Sequence, residues 1–113
     1  MRTEVFLAGD LAQAGFVQVV QGRVSDLDRA RERKHALEEA LKVHLPALLG
    51  TVTVELDAGR FTRALYYSTQ DEARAAEREM PPEIRALSQE GRQLIVGPVE
   101  FHDLREPWLY AAR

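Results

Sequence analysis

The chain has 113 residues, 18 acidic and 15 basic side chains, a formal charge of −3 and no cysteine. That length suits one domain with a single core, so one domain over residues 1–113 is expected. Interleaved charges leave no basic stripe for a phosphate backbone, which argues against a nucleic-acid partner. The lack of cysteine excludes disulfides, thiolate nucleophiles and Cys-ligated metal centres, and fits a reducing cytoplasm.

The first apolar run, Val5 to Ala12, is broken by Asp10 and preceded by Glu4. It makes a poor secretory segment, no stretch reaches membrane-spanning length, and no membrane partner is expected. Residues 1–15 read as an arm of low order ahead of a core starting at Phe16. The run Phe16 to Val24 is dense in β-branched residues, as in a central strand covered on both faces. Ser25 offers an N-cap for a helix over about 26–44, whose apolar stripe runs through Leu27, Ala30, Leu37 and Leu41 to Leu45 before Pro46 stops it.

Thr51 to Leu56 alternates polar and apolar residues, and Phe61 to Tyr67 continues the hairpin beyond a turn at Asp57 to Arg60. A Thr69-x-x-Glu72 capping box opens a second helix, Pro81-Pro82 interrupts it, and helical spacing resumes at Ile84, Leu87, Leu94 and Ile95. Gly97-Pro98 ends the helical stretch. Val99 to Leu104 reads as the last strand, and residues 106–113 form a tail whose Trp108 and Tyr110 need a surface to cover. The order βαββαβ over 16–105 predicts an α+β, ferredoxin-like domain: a four-stranded antiparallel sheet with helices on one face.

Strand alternation puts Arg63, Leu65 and Tyr67 on one face, where a cation beside a phenol could orient an enolate or phenolate. The bland alternative is a core tyrosine and an ion-paired arginine. His44 and His35 on the first helix are candidate proton acceptors, against readings as a helix-terminus contact and a solvated side chain. Gln18, Phe61, Leu65, Phe101 and His102 complete the candidate substrate-binding set. His102 and Asp103 fall on opposite faces of their strand, so adjacency gives no dyad. His35 and Glu38 read as a surface pair, and the basic run Arg29 to Lys34, followed by Glu38 and Glu39, as a solvated helix face. No flavin fingerprint or metal-ligand spacing is present, and neither cofactor nor metal is expected.

The element order, the Phe16-Val17-Gln18-Val19-Val20-Gln21-Gly22-Arg23-Val24 strand, Leu48-Leu49-Gly50 and the Val99-Glu100-Phe101-His102-Asp103 ending resemble the dimeric α/β-barrel superfamily. Within it they are similar to small bacterial proteins related to antibiotic-biosynthesis monooxygenases. The resemblance implies a homodimer in which two sheets pack face to face, each protomer keeping a pocket between sheet and helices. It also implies a cofactor-independent, monooxygenase-like enzyme acting on an apolar aromatic or polyketide-like compound, with Tyr67 at the position of a strand-end aromatic. The alternative is a non-enzymatic ligand-binding or structural homodimer. A haem-degrading branch uses an asparagine on the first strand, a tryptophan ending the third and a histidine on the second helix; this chain has no asparagine, Tyr67 in place of the tryptophan, and no histidine between 70 and 95.

Overall fold

The computed structural model describes residues 1–105, so the reading of Trp108 and Tyr110 as a docking tail lies outside the described residues. In chain order the elements are β1 (Arg2–Leu7), β2 (Phe16–Arg23), α1 (Leu27–His44), β3 (Leu48–Glu55), β4 (Arg60–Tyr67), α2 (Gln70–Arg78), α3 (Pro82–Arg92) and β5 (Glu100–Arg105). They build an α+β fold with one antiparallel sheet in the order β1-β3-β4-β2-β5. The last four of these, β3-β4-β2-β5, make the expected ferredoxin-like sheet.

The sheet has five strands, not four. Arg2–Leu7, expected as an arm of low order, pairs along its whole length with β3, from Arg2 opposite Glu55 to Leu7 opposite Gly50. Its residues alternate, with Arg2, Glu4 and Phe6 on one face and Thr3, Val5 and Leu7 on the other, the period-two pattern of a strand. Asp10, which breaks the apolar run, caps the short turn at Leu11–Gln13 by accepting from the Ala12 N–H at 3.0 Å. Gly50 permits the close approach of β1, because a Cβ there would lie 2.5 Å from the Phe6 carbonyl oxygen.

Helix starts follow side-chain capping. The cap of α1 is Asp26, whose carboxylate accepts from the Arg29 N–H at 3.1 Å. Ser25, the expected cap, instead gives its N–H to the Leu94 carbonyl at 2.9 Å. Thr69 caps α2 as expected, accepting from the Glu72 N–H, while the Glu72 carboxylate bonds the Ser68 hydroxyl. Pro82 opens α3 at a position where its missing N–H costs nothing.

The register sorts the sheet into two unlike faces. All three helices cover the face carrying Phe16, Gln18, Leu48, Arg63, Leu65 and Tyr67. Its apolar end holds the core of Phe16, Leu41, Leu48, Tyr67, Ala73 and Ile84. There the Phe16 and Tyr67 rings lie 6.1 Å apart and the Arg74 guanidinium stacks 5.4 Å over Phe16. The opposite face carries Val5, Leu7, Val17, Val19, Val52, Val54, Ala64, Tyr66 and Leu104, and among the described residues no helix covers it. Val5 and Leu7 each remain 58 % exposed.

Candidate functional site

Beside the apolar core, the space between α1 and the strands β1, β3 and β4 is filled by charge. Two members of the basic run expected to be solvated, Arg31 and Lys34, turn inward, while Arg29 stays exposed as expected. Arg31 grips the Glu55 carboxylate through Nε at 3.1 Å and Nη2 at 2.6 Å, and Lys34 Nζ reaches Glu4 at 2.8 Å. The cause is a period mismatch: α1 presents Arg31, Lys34, His35 and Glu38 at i, i+3, i+4 and i+7, which is the stripe facing the sheet. Opposite that stripe the strands offer Glu4, Thr51, Thr53, Glu55 and Arg63 instead of apolar residues.

Glu38 is the deepest charge. It is 3 % exposed, accepts from the Thr51 hydroxyl and faces Arg63 Nη2 at 3.5 Å. It does not form the expected surface pair with His35. His35 Nε2 instead meets Glu4 Oε1 at 2.7 Å. Burial alone would push the Glu4 carboxyl up, but hydrogen bonds from Lys34, His35 and Arg2 outweigh it and hold the group at about 2. Glu4 is therefore an anion that only accepts, so a neutral His35 carries its proton on Nε2 and leaves Nδ1 bare. Glu55 is likewise lowered, by its hydrogen bonds from Arg31 against the opposing effect of burial.

Both lowered carboxylates tie stability to pH in one direction. Stability from a carboxylate of depressed pKa is full above its unfolded value, here 4.5, and is lost as pH falls through its folded value. The protein is expected to lose stability between about pH 4.5 and 2. In urea titrations across that window Glu4→Gln should show a shallower slope; an unchanged slope would place the linkage elsewhere.

Glu4, Val5, Phe6, His35, Glu38 and Glu39 line a cleft of about 220 Å³. A second cleft of about 130 Å³ opens between the C-terminal end of α1 and the α2–α3 corner, lined by Leu41, Leu45, Ala76, Met80 and Ile84. His44 stands on this second cleft, paired with Glu83 at 3.0 Å. The two candidate histidines thus serve different cavities. Neither cavity is lined by Tyr67 or Arg63, although Arg63 touches the first through Glu38.

Tyr67 packs on Phe16, and burial pushes its phenol up, opposed by the Arg63 charge. It stays protonated at neutral pH and can only donate or accept a hydrogen bond. Burial pushes the Arg63 guanidinium down, opposed by Glu38 and Tyr67. Gln18 Nε2 reaches Asp103 at 3.4 Å, where Arg74 also binds at 2.7 Å. Leu65 packs against the core, and Phe61 lies across Gly22. Phe101 is on the helix-covered face yet 62 % exposed on the edge strand, and His102 points to the opposite, open face. Sequence reasoning misses Glu4, Glu38, Thr51 and Thr53 as site residues. Their signal is polarity at positions that alternation or helical period assigns to the interior.

Among the described residues no three His, Asp or Glu side chains group as a metal site, and no helix is long and apolar enough to cross a membrane. No protein-family model matches the chain, and no curated protein matches it in sequence. Its fold does match solved structures. A variant of SnoaB, a cofactor-independent oxygenase from Streptomyces nogalater, superposes with a TM-score of 0.65 at 14 % identity, covering 80 % of this chain and 92 % of that one. A provisionally assigned antibiotic biosynthesis monooxygenase from Chloroflexus aurantiacus gives 0.68 at 14 %, covering 85 % and 96 %. Another from Nitrosomonas europaea gives 0.66 at 14 %, covering 81 % and 90 %. The chain has the ferredoxin-like fold of the antibiotic-biosynthesis-monooxygenase-like proteins.

Proposed function

We propose that the chain is a cofactor-independent, oxygenase-like enzyme that binds a planar, acidic, apolar compound in the cleft between β1 and α1. The observation that carries this reading is the Glu4–His35 pair on that cleft. A fixed anion on Nε2 sets the tautomer and leaves Nδ1 to take a proton. With an aromatic ketone bearing an acidic ring methylene, His35 would remove a C–H proton. The resulting carbanion would react with dioxygen, converting CH2 and O2 to C=O and H2O. The likeness in fold to SnoaB supports the class of reaction, and the polyketide-like or aromatic nature of the substrate follows from that analogy.

His35→Ala should cut dioxygen uptake with such a ketone by about 100-fold or more while leaving the melting temperature nearly unchanged, since the ring is half exposed. Binding should also raise the wild-type melting temperature by mass action. A panel of tricyclic ketones and phenols giving neither uptake nor a thermal shift would overturn the enzyme reading. One observation favours the alternative, a non-enzymatic ligand-binding or structural homodimer: Tyr67 and Arg63 are taken up in packing and ion pairing. Under either reading we propose a homodimer formed through the uncovered apolar sheet face.

A further inference from the structure

Among the described residues two buried polar atoms on the helix-covered face have no partner: Thr53 Oγ1 and Arg63 Nε. They belong to residues directly opposite one another in the β3–β4 register, and Thr53 is also directly opposite Glu4 on β1. Cross-strand neighbours in such a register have Cβ atoms about 5 Å apart, within reach of one shared oxygen atom. Thr53 is 5 % exposed. The rest of the Arg63 charge is weakly met, because its partner Glu38 lies 3.5 Å away and already accepts from Thr51. Glu4 and Glu38 line the 220 Å³ cleft, so Thr53 sits one strand behind Glu4 in the cleft wall and Arg63 two strands behind it, against Glu38. A buried donor without an acceptor is costly, and a cationic N–H beside a hydroxyl suits an oxygen that carries negative charge.

We propose that Arg63 Nε and Thr53 Oγ1 form an oxyanion seat for one ligand oxygen, reached from the cleft past Glu38. The seat rests on the reading of the cleft as a small-molecule site and names what the ligand must carry: a ketone or phenol oxygen that becomes an enolate or phenolate. When His35 takes the carbon-bound proton, the C–H bond breaks, its electron pair moves into the new C=C bond, and the carbonyl pair settles on the seated oxygen. Arg63 and Thr53 then donate to a charge that exists only after proton removal, the arrangement that lowers a barrier.

The test uses 4-nitrophenol, a stable enolate mimic whose yellow anion is distinguished from its colourless acid by absorbance. At a pH below its solution pKa the wild type should bind it as the yellow anion. Thr53→Val keeps the shape and removes the hydroxyl; it should weaken binding about tenfold and lower the ionised fraction. Its ligand-free melting temperature should be equal or higher, because an unpaired buried hydroxyl is lost. Arg63→Lys should weaken binding further, as an ammonium lacks the planar Nε donor. Binding by Thr53→Val that matches wild type, binding of the neutral phenol alone, or a destabilised Thr53→Val variant overturns the seat while leaving the cleft a ligand site. No binding of 4-nitrophenol to the wild type overturns both.

Discussion

Glu38→Ala should destabilise the protein by about 3–5 kcal/mol, measured by urea denaturation at neutral pH. The loss comes less from the missing attraction than from what stays behind. Arg63 keeps its charge in a buried position, its acceptor Glu38 gone, and the Thr51 hydroxyl loses its partner as well. Replacing both ends of the pair, Glu38→Leu with Arg63→Met, should recover most of the loss, since two apolar side chains of similar volume avoid desolvating two charges. A single variant that loses less than about 1 kcal/mol would show that water reaches the pair. The double variant also separates fold from function. A stable double variant without ligand binding means that the ion pair is kept for the site; a stable double variant that still binds 4-nitrophenol means that it is not.

This charged layer is where sequence reasoning falls short, and the reason is physical. Hydrophobic periodicity locates β2, β3, β4 and the helices because each carries a regular apolar alternation or stripe, although in β3 the apolar positions Val52 and Val54 mark the open face while Thr51, Thr53 and Glu55 point inward. It yields the ferredoxin-like order and puts Arg63, Leu65 and Tyr67 on one face. Along α1, however, the inward stripe passes from Leu37 and Leu41 back through Lys34 and Arg31, and a rule that sends charge outward turns that half of the helix toward solvent. The partners that make inward charge tolerable, Glu4 and Glu55, sit 27 and 24 residues from Arg31 in sequence. Glu4 also lies on a strand that resembles an arm in sequence, because Asp10 and Gly9 dominate the pattern of residues 5–12. Once β1 is recognised, its alternation of Arg2, Glu4 and Phe6 against Thr3, Val5 and Leu7 predicts a polar and an apolar face, and the cleft follows. Tyr67 shows the opposite case: its position is legible, but its packing on Phe16 is not, because alternation gives a face and not a depth.

Val52→Glu should convert the protein from dimer to monomer, weakening association by a factor of about 100 or more, on the order of 3 kcal/mol. Val52 stands near the middle of the uncovered face, in a row that runs Val5, Val52, Ala64 and Val19 across four strands. A sheet face of this composition is expected to be covered, and since the helices occupy the other side, the proposed homodimer would supply the cover from a second chain. In a two-fold dimer each substitution enters the interface twice, once from each protomer, so two carboxylates are desolvated without partners. The protomer itself should tolerate the change, because Val52 is only partly buried in the single chain. Gln21→Glu, on the same face but in the outer row with Thr62 and Glu100, serves as the control and should leave association nearly unchanged. Sedimentation at micromolar concentration distinguishes the outcomes: a monomeric wild type, or a Val52→Glu variant that still dimerises, would mean that this face meets something other than its own copy.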